Sequence, residues 1–222
     1  SNGTLVAEIA AIDATLDRLW PGMGYDVAWE SRRQRAEARA ASIRLLRWFL
    51  DHAAAQSVVE SQLTLQVSVP HPTQPEQFIA VALNGRADRI EFTADGAAVY
   101  DFKTGRKAAT PGELAANIQL ALYEIMLRHG EFEVDGEKRK LAEDVAVTHT
   151  ALVQLRVSPR VQQVPVGTHD HVNPERTVIQ RIAAAADLVQ AEVFPTRYVA
   201  EDCKRCPVRF LCPASPEGRQ VL

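Results

Sequence analysis

The sequence predicts an α/β sandwich: a mixed central sheet with helices on its faces. Three observations predict it. Helical and strand periodicities follow each other in the order helix, helix, three strands, helix, two strands, helix, which is the pattern of a layered α/β domain. The two central strands are joined at Thr93-Ala94-Asp95-Gly96, and an Asp-Gly pair between apolar runs is a strong hairpin signal. The composition, 46% apolar and 24% charged over 222 residues, suits one large globular domain, or one domain with an appendage.

Each element has a local reason. Leu5, Ile9, Ile12, Leu16 and Leu19 fall near helical spacing and predict a helix over 4–19, broken by Pro21-Gly22 and Gly24. A longer helix follows over 30–56, with Ile43, Leu46, Phe49 and Leu50 on its apolar side. Arg32, Arg33, Arg35, Arg39, Arg44 and Arg47 give it a basic character. Those arginines read either as a solvated face or as a surface that tracks phosphates. Leu63, Leu65, Val67 and Val69 alternate with polar residues as in a half-buried strand, and Pro70 to Pro75 is a loop. Phe78–Phe92 and Ala98–Lys103 are the paired central strands, with Gly85 marking a bulge in the first.

Thr110, Pro111 and Glu113 form a capping box with Pro at the first helical position. They open a helix whose Leu114, Ile118, Leu122 and Ile125 share a face. The charged stretch 130–144 reads as a loop. Val145–Val157 and Val161–Val166 read as strands, and Asn173-Pro174 starts a helix to about Glu192.

The totals exclude several classes. No stretch approaches the roughly 20 apolar residues of a membrane span. No targeting segment is visible, and Ser1-Asn2 reads as a tag remnant, so a cytoplasmic setting is expected. The formal net charge of −3 means that a nucleic-acid partner needs a local basic patch. The 3 cysteines are clustered as Cys203-x-x-Cys206-x5-Cys212. An odd clustered set argues for metal or cluster ligation and against a disulfide framework.

The candidate chemistry sits on the central hairpin. Asp101 and Lys103 are two apart on one strand and so share a face, and Asp88 lies on the partner strand. Two carboxylates and an ammonium on one side of a hairpin can hold a divalent cation and a water beside a phosphate. The plainer reading of Asp-x-Lys is a cross-strand ion pair. Gln119 and Tyr123, at i and i+4, share one helix flank, as packing residues or as groups facing a substrate. His169 and His171 read as loop residues, and Glu60 as an exposed residue or an extra carboxylate.

Taken together, Gly85-Arg-Ala-Asp88-Arg-Ile, Tyr100-Asp101-Phe-Lys103-Thr-Gly105, Gln119-Leu-Ala-Leu-Tyr123 and the cysteine pattern resemble one family. It is the RecB-type branch of the PD-(D/E)XK nucleases, the C-terminal module of bacterial helicase–nucleases. The resemblance covers about residues 60–213. It implies a restriction-endonuclease-like core over 58–195, an N-terminal helical part over 1–57 and a Cys-containing tail over 196–222. It implies metal-dependent exonuclease activity on DNA, in double-strand-break repair alongside helicase domains. By resemblance, Asp88, Asp101 and the backbone carbonyl of Phe102 hold Mg²⁺ or Mn²⁺, and Lys103 orients the attacking water. Gln119 and Tyr123 then bind DNA, and Cys203, Cys206 and Cys212 are iron–sulfur ligands.

Two departures stand out. The family usually has a metal-binding His on its first helix, in a Gly-x-x-x-His pattern; here Gly3-Thr-Leu-Val is followed by Ala7. Activity is therefore expected to be weaker, and a nuclease-like domain that only binds DNA is the competing reading. A stand-alone RecB-like nuclease is another. The iron–sulfur members have four cysteines where this sequence has 3. A [4Fe–4S] cluster is expected only in a longer parent chain, and the tail here is expected to be disordered, zinc-bound or thiol-only.

Overall fold

The computed structural model describes residues 2–52, 56–156, 160–165, 174–191, 196 and 198–218. The elements are α1 (Asn2–Leu19), α2 (Ala28–Asp51), β1 (Gln56–Pro70), β2 (Phe78–Thr93), β3 (Gly96–Lys103), α3 (Pro111–Ala115) and α4 (Ile118–His129). They continue with β4 (Glu131–Val134), β5 (Glu137–Arg139), β6 (Val147–Gln154), β7 (Arg160–Pro165), α5 (Pro174–Gln190) and α6 (Ala200–Cys203). The chain forms two compact units. One is Ser1–Ser68 with Ala80–Ile179, and the other is Val69–Ile79 with Gln180–Leu222.

The first unit holds the body of a seven-stranded sheet in the order β5-β4-β1-β2-β3-β6-β7. β3 and β6 pair in parallel, while β2–β3, β6–β7, β1–β4 and β4–β5 are antiparallel, so the sheet is mixed as expected. A parallel pair needs a long crossover, and α3, α4 and the β4–β5 hairpin supply it. The parallel register sets Asp101 beside Leu152 and Lys103 beside Gln154.

One face of β3 and β6 is apolar. Ala98, Tyr100, Ala151, Val153 and Leu155 are buried with Trp48 of α2, and Phe102, Leu45 and Phe49 pack around them. Trp48 meets Tyr100 and Phe102 edge-on, with ring centroids 4.9 and 5.4 Å apart. Each such side chain contributes about 1.5–3 kcal/mol through removal from water. The other face is covered by α4, whose Leu120, Ile125, Met126 and Leu127 are buried and which packs on β6.

The arginines of α2 resolve into fixed partnerships. Arg39 forks onto Asp13 of α1 at 2.6 and 2.9 Å, and Arg35 reaches Asp17 at 2.5 Å. Arg33 pairs with Glu30 and Glu37, and Arg44 donates to the carbonyls of Leu155 and Arg156. Arg35, Arg39 and Arg44 bind the helix to its neighbours, while Arg33 pairs within it; Arg32 and Arg47 are exposed.

Three boundaries differ from expectation. Residues 131–134 and 137–139 form a hairpin, not a loop. Asp135 and Gly136 have φ of 53° and 82°, a left-handed pair suited to a two-residue Asp-Gly turn, and the flanking charges concealed the strands. The helix opened by Thr110 stops at Ala115, and Asn117 starts a second by accepting from Leu120 N–H at 3.1 Å. α2 ends at Asp51, and β1 begins at Gln56, earlier than the alternation at Leu63 indicates.

The central hairpin forms where expected, with Ala94 and Asp95 between the paired Thr93 and Gly96. Gly96 belongs to β3, and a Cβ there would stand 2.1 Å from the Ala146 carbonyl oxygen, so no larger residue fits at the mouth of β6.

In the second unit Val69, Ile79, Ile182 and Ala183 are buried, and His71 Nε2 lies 3.2 Å from Asp187 Oδ1. Cys203, Cys206 and Cys212 are free thiols on α6 and the turns after it. Among the described residues no helix is long and apolar enough to cross a membrane.

Candidate active site

The site is built where β2 and β3 part. Their paired register runs from Thr93↔Gly96 to Arg89↔Tyr100. Just beyond it, Asp88 Oδ2 accepts the Phe102 amide N–H at 2.7 Å. A side-chain carboxylate thus satisfies a strand amide, and Asp88 is pinned against β3.

Asp101 and Lys103 follow on the face toward α4. The Lys103 ammonium lies 2.6 Å from Asp101 Oδ2, and Gln119 Nε2 donates to Asp101 Oδ1 at 2.9 Å. Gln119 Oε1 accepts from the same ammonium at 3.0 Å, which closes a ring of three side chains. This fixes the amide orientation, because the reverse would aim N–H at the ammonium. Gln119 Nε2 also donates to the Tyr123 oxygen at 2.8 Å, and the single phenol proton goes to the Arg86 carbonyl, likewise at 2.8 Å. Tyr123 therefore anchors the ring to β2. Its hydroxyl is 3.4 Å from Asp101 Oδ1.

The electrostatics favour a cation. Burial raises the Asp101 pKa above the ordinary carboxylate range, the Lys103 ammonium opposes this, and the Asp88 charge adds to it. Burial likewise pushes Tyr123 up to about 12, so it stays a neutral donor. The Asp101 side chain is only 5% exposed, while that of Lys103 is 36% exposed, so the ammonium faces solvent and the carboxylate lies behind it. Asp101 Oδ2 takes no aligned hydrogen bond among the described residues and touches the ammonium only as an ion pair. A buried carboxylate whose Oδ2 meets only the Lys103 ammonium, under the field of a second carboxylate, fits a hard divalent cation.

No group of three or more His, Cys, Asp or Glu converges on one point among the described residues. The donor set is a carboxylate pair. That suits Mg²⁺, which keeps most of its waters and needs one or two carboxylates plus substrate oxygens. The model of the PD-(D/E)XK nuclease superfamily matches residues 3–213. The chain belongs to that superfamily. PD-(D/E)XK proteins are in general metal-dependent nucleases, so the hairpin face carrying Asp88, Asp101 and Lys103 is the candidate nuclease centre of this member. No curated protein matches the chain. The crystal structure of SSO0001 is similar over 81% of this chain and 71% of that one, with a TM-score of 0.45 and 16% identity.

Of the residues singled out in the sequence of this PD-(D/E)XK protein, Asp88, Asp101, Lys103, Gln119 and Tyr123 come together. Glu60 is exposed and ion-paired with Arg86. Ala7 is exposed on α1. The three cysteines lie in the second unit as free thiols, and among the described residues no three potential ligands converge there. His169 and His171 lie outside the described residues. Two contributors were missed. The Arg86 carbonyl carries no sequence signal. Gln154 did carry one: a polar residue inside the apolar run Ala151-Leu-Val-Gln-Leu, on the strand beside Lys103.

Proposed function

We propose that this chain is a metal-dependent DNA exonuclease module of RecB type, working with helicase domains in double-strand-break repair. The observation that carries the nuclease reading is the closed ring Lys103–Asp101–Gln119 beside Asp88. The repair setting rests on the resemblance of the four motifs in their order. Asp88, Asp101 and the Phe102 carbonyl would hold Mg²⁺ or Mn²⁺. When bound, the ion supplies Lewis acidity at the phosphate and a water of lowered pKa.

The chain's own residues do the rest. An ammonium has three N–H donors. One goes to Gln119 and the ion pair with Asp101 holds the group in place, leaving an N–H for a non-bridging phosphate oxygen or the attacking water. Lys103 thereby places positive charge where the pentavalent phosphate gathers negative charge, and orients the water's lone pair. Gln119 and Tyr123 keep Asp101 from turning away and border the DNA path. The tail cysteines enter an iron–sulfur reading only with a fourth thiolate from beyond these residues, since the sequence has 3; zinc is the alternative occupant.

With Mg²⁺ or Mn²⁺ the protein should release nucleotides from a labelled DNA, weakly because Ala7 replaces the usual His. Asp101→Ala should stop it. Equal release by both proteins would mean that any cleavage comes from elsewhere.

A further inference from the structure

Beside Lys103 lies a cavity of about 290 Å³ that the catalytic ring does not use. It is lined by the buried Leu152 and Gln154 of β6, by Ala108 and Ala109, and by Lys103, Lys107 and Glu113. Lys107 is 78% exposed and 3.5 Å from Glu113, so it stands at the rim. Gln154 is only 3% exposed, and among the described residues its Oε1 has no hydrogen-bond partner. A buried acceptor left empty costs about 1–3 kcal/mol, and because Gln154 lines the cavity, a small turn of its amide would present that oxygen to a donor there.

We propose that this cavity receives the base of the nucleotide next to the scissile phosphate, and that Gln154 is its positioning residue. The proposal rests on the nuclease reading above and narrows its substrate to single-stranded DNA. Small apolar walls accept a flat ring, and the cations at Lys103 and Lys107 suit the phosphates on either side of it. The Gln154 oxygen needs an N–H. Every base offers one on its Watson–Crick edge, so the site does not select among bases. That edge is free only in an unpaired strand. The register Lys103↔Gln154 links the two groups rigidly, so a base held at Gln154 sets the position of its phosphate relative to the ammonium.

The test walks a single abasic site along a fluorescein-labelled single-stranded DNA and measures binding by anisotropy in EDTA. For the wild type, one position should weaken binding about tenfold. Gln154→Leu should weaken binding of the intact strand by a similar factor and erase the penalty at that one position. Its melting temperature should equal or exceed that of the wild type, because an unpartnered buried acceptor is gone; Gln154→Met provides the same test if Leu fits poorly. An unchanged abasic penalty in both variants, or a wild type with no sensitive position, overturns the proposal. Cleavage by wild type and Asp101→Ala in Mg²⁺ is run in parallel. A wild type that binds with the expected abasic pattern but never cuts defeats the nuclease reading and spares the pocket, while a wild type that cuts but ignores Gln154 does the reverse.

Discussion

The two faces of β3 use the same strand for opposite ends. Toward α2, Ala98, Tyr100 and Phe102 fill space against Trp48, and most of the stabilisation is area removed from water. Toward α4, Asp101 and Lys103 carry charge, and what holds them is a directed network through Gln119 and Tyr123. The apolar face tolerates imperfect neighbours but not missing volume. The polar face contributes little net stability, and its geometry depends on every member of the ring. Stability and activity should therefore separate when either face is altered.

The largest effect is expected on the apolar side. Trp48→Ala should lower the unfolding free energy by about 3–5 kcal/mol, measured in urea, while the turnover of the folded fraction changes little. A collapse of turnover with unchanged stability would show that the two faces are not independent. On the polar side, Lys103→Ala should reduce cleavage about 10²- to 10³-fold with little loss of stability, judged by single-turnover kinetics beside thermal melts. Gln119→Leu removes a positioning group and should cost about 10- to 100-fold in activity or metal affinity. If Gln119→Leu cleaves like the parent, the ring is only a resting contact.

The smallest effect concerns pH and the apolar side again. Thr148 Oγ1 donates to the Ala97 carbonyl at 3.2 Å, so it must accept from His149 Nδ1, which leaves Nε2 to accept from the Tyr100 hydroxyl at 3.0 Å. Burial holds the His149 pKa below its ordinary value, against a smaller opposite push from Glu91. The unfolded chain, with a pKa of about 6.5, then takes up its proton first as the pH falls. Stability contributed by neutral His149 is present above that value and is lost as the pH drops through it toward the folded pKa. His149→Gln should flatten this part of the stability curve, followed as urea midpoints between about pH 7.5 and 5.5. The same slope in both proteins would place the titration elsewhere.

Much of this organisation was legible in the sequence. Spacing alone placed Asp101 and Lys103 on one face, because alternation along a strand is a strict geometric fact. The helix caps at Thr110 and the hairpin at Asp95-Gly96 were legible because turn and cap chemistry is local. The β4–β5 hairpin was not, although Asp135-Gly136 carries the same signal. Its strands are short and charged, and they are recruited by the edge of β1 at Leu63↔Phe132, a partner distant in sequence. The roles of the α2 arginines were also hidden, since Asp13, Asp17 and the Leu155 carbonyl become their neighbours only after folding. Gln154 was half legible, as a polar residue inside an apolar run. Its burial follows from strand alternation, but its empty acceptor and the cavity beside it exist only in three dimensions.

The central claim is that Asp88 and Asp101 together hold the metal that makes this hairpin face a nuclease centre. Titration of Mn²⁺ into the protein, with free ion counted by its electron paramagnetic resonance signal, tests this without relying on cleavage. The account predicts a site in the parent protein that is lost in both Asp88→Asn and Asp101→Asn and retained in Lys103→Ala. Undiminished binding in Asp101→Asn, with its fold intact by circular dichroism, would contradict it.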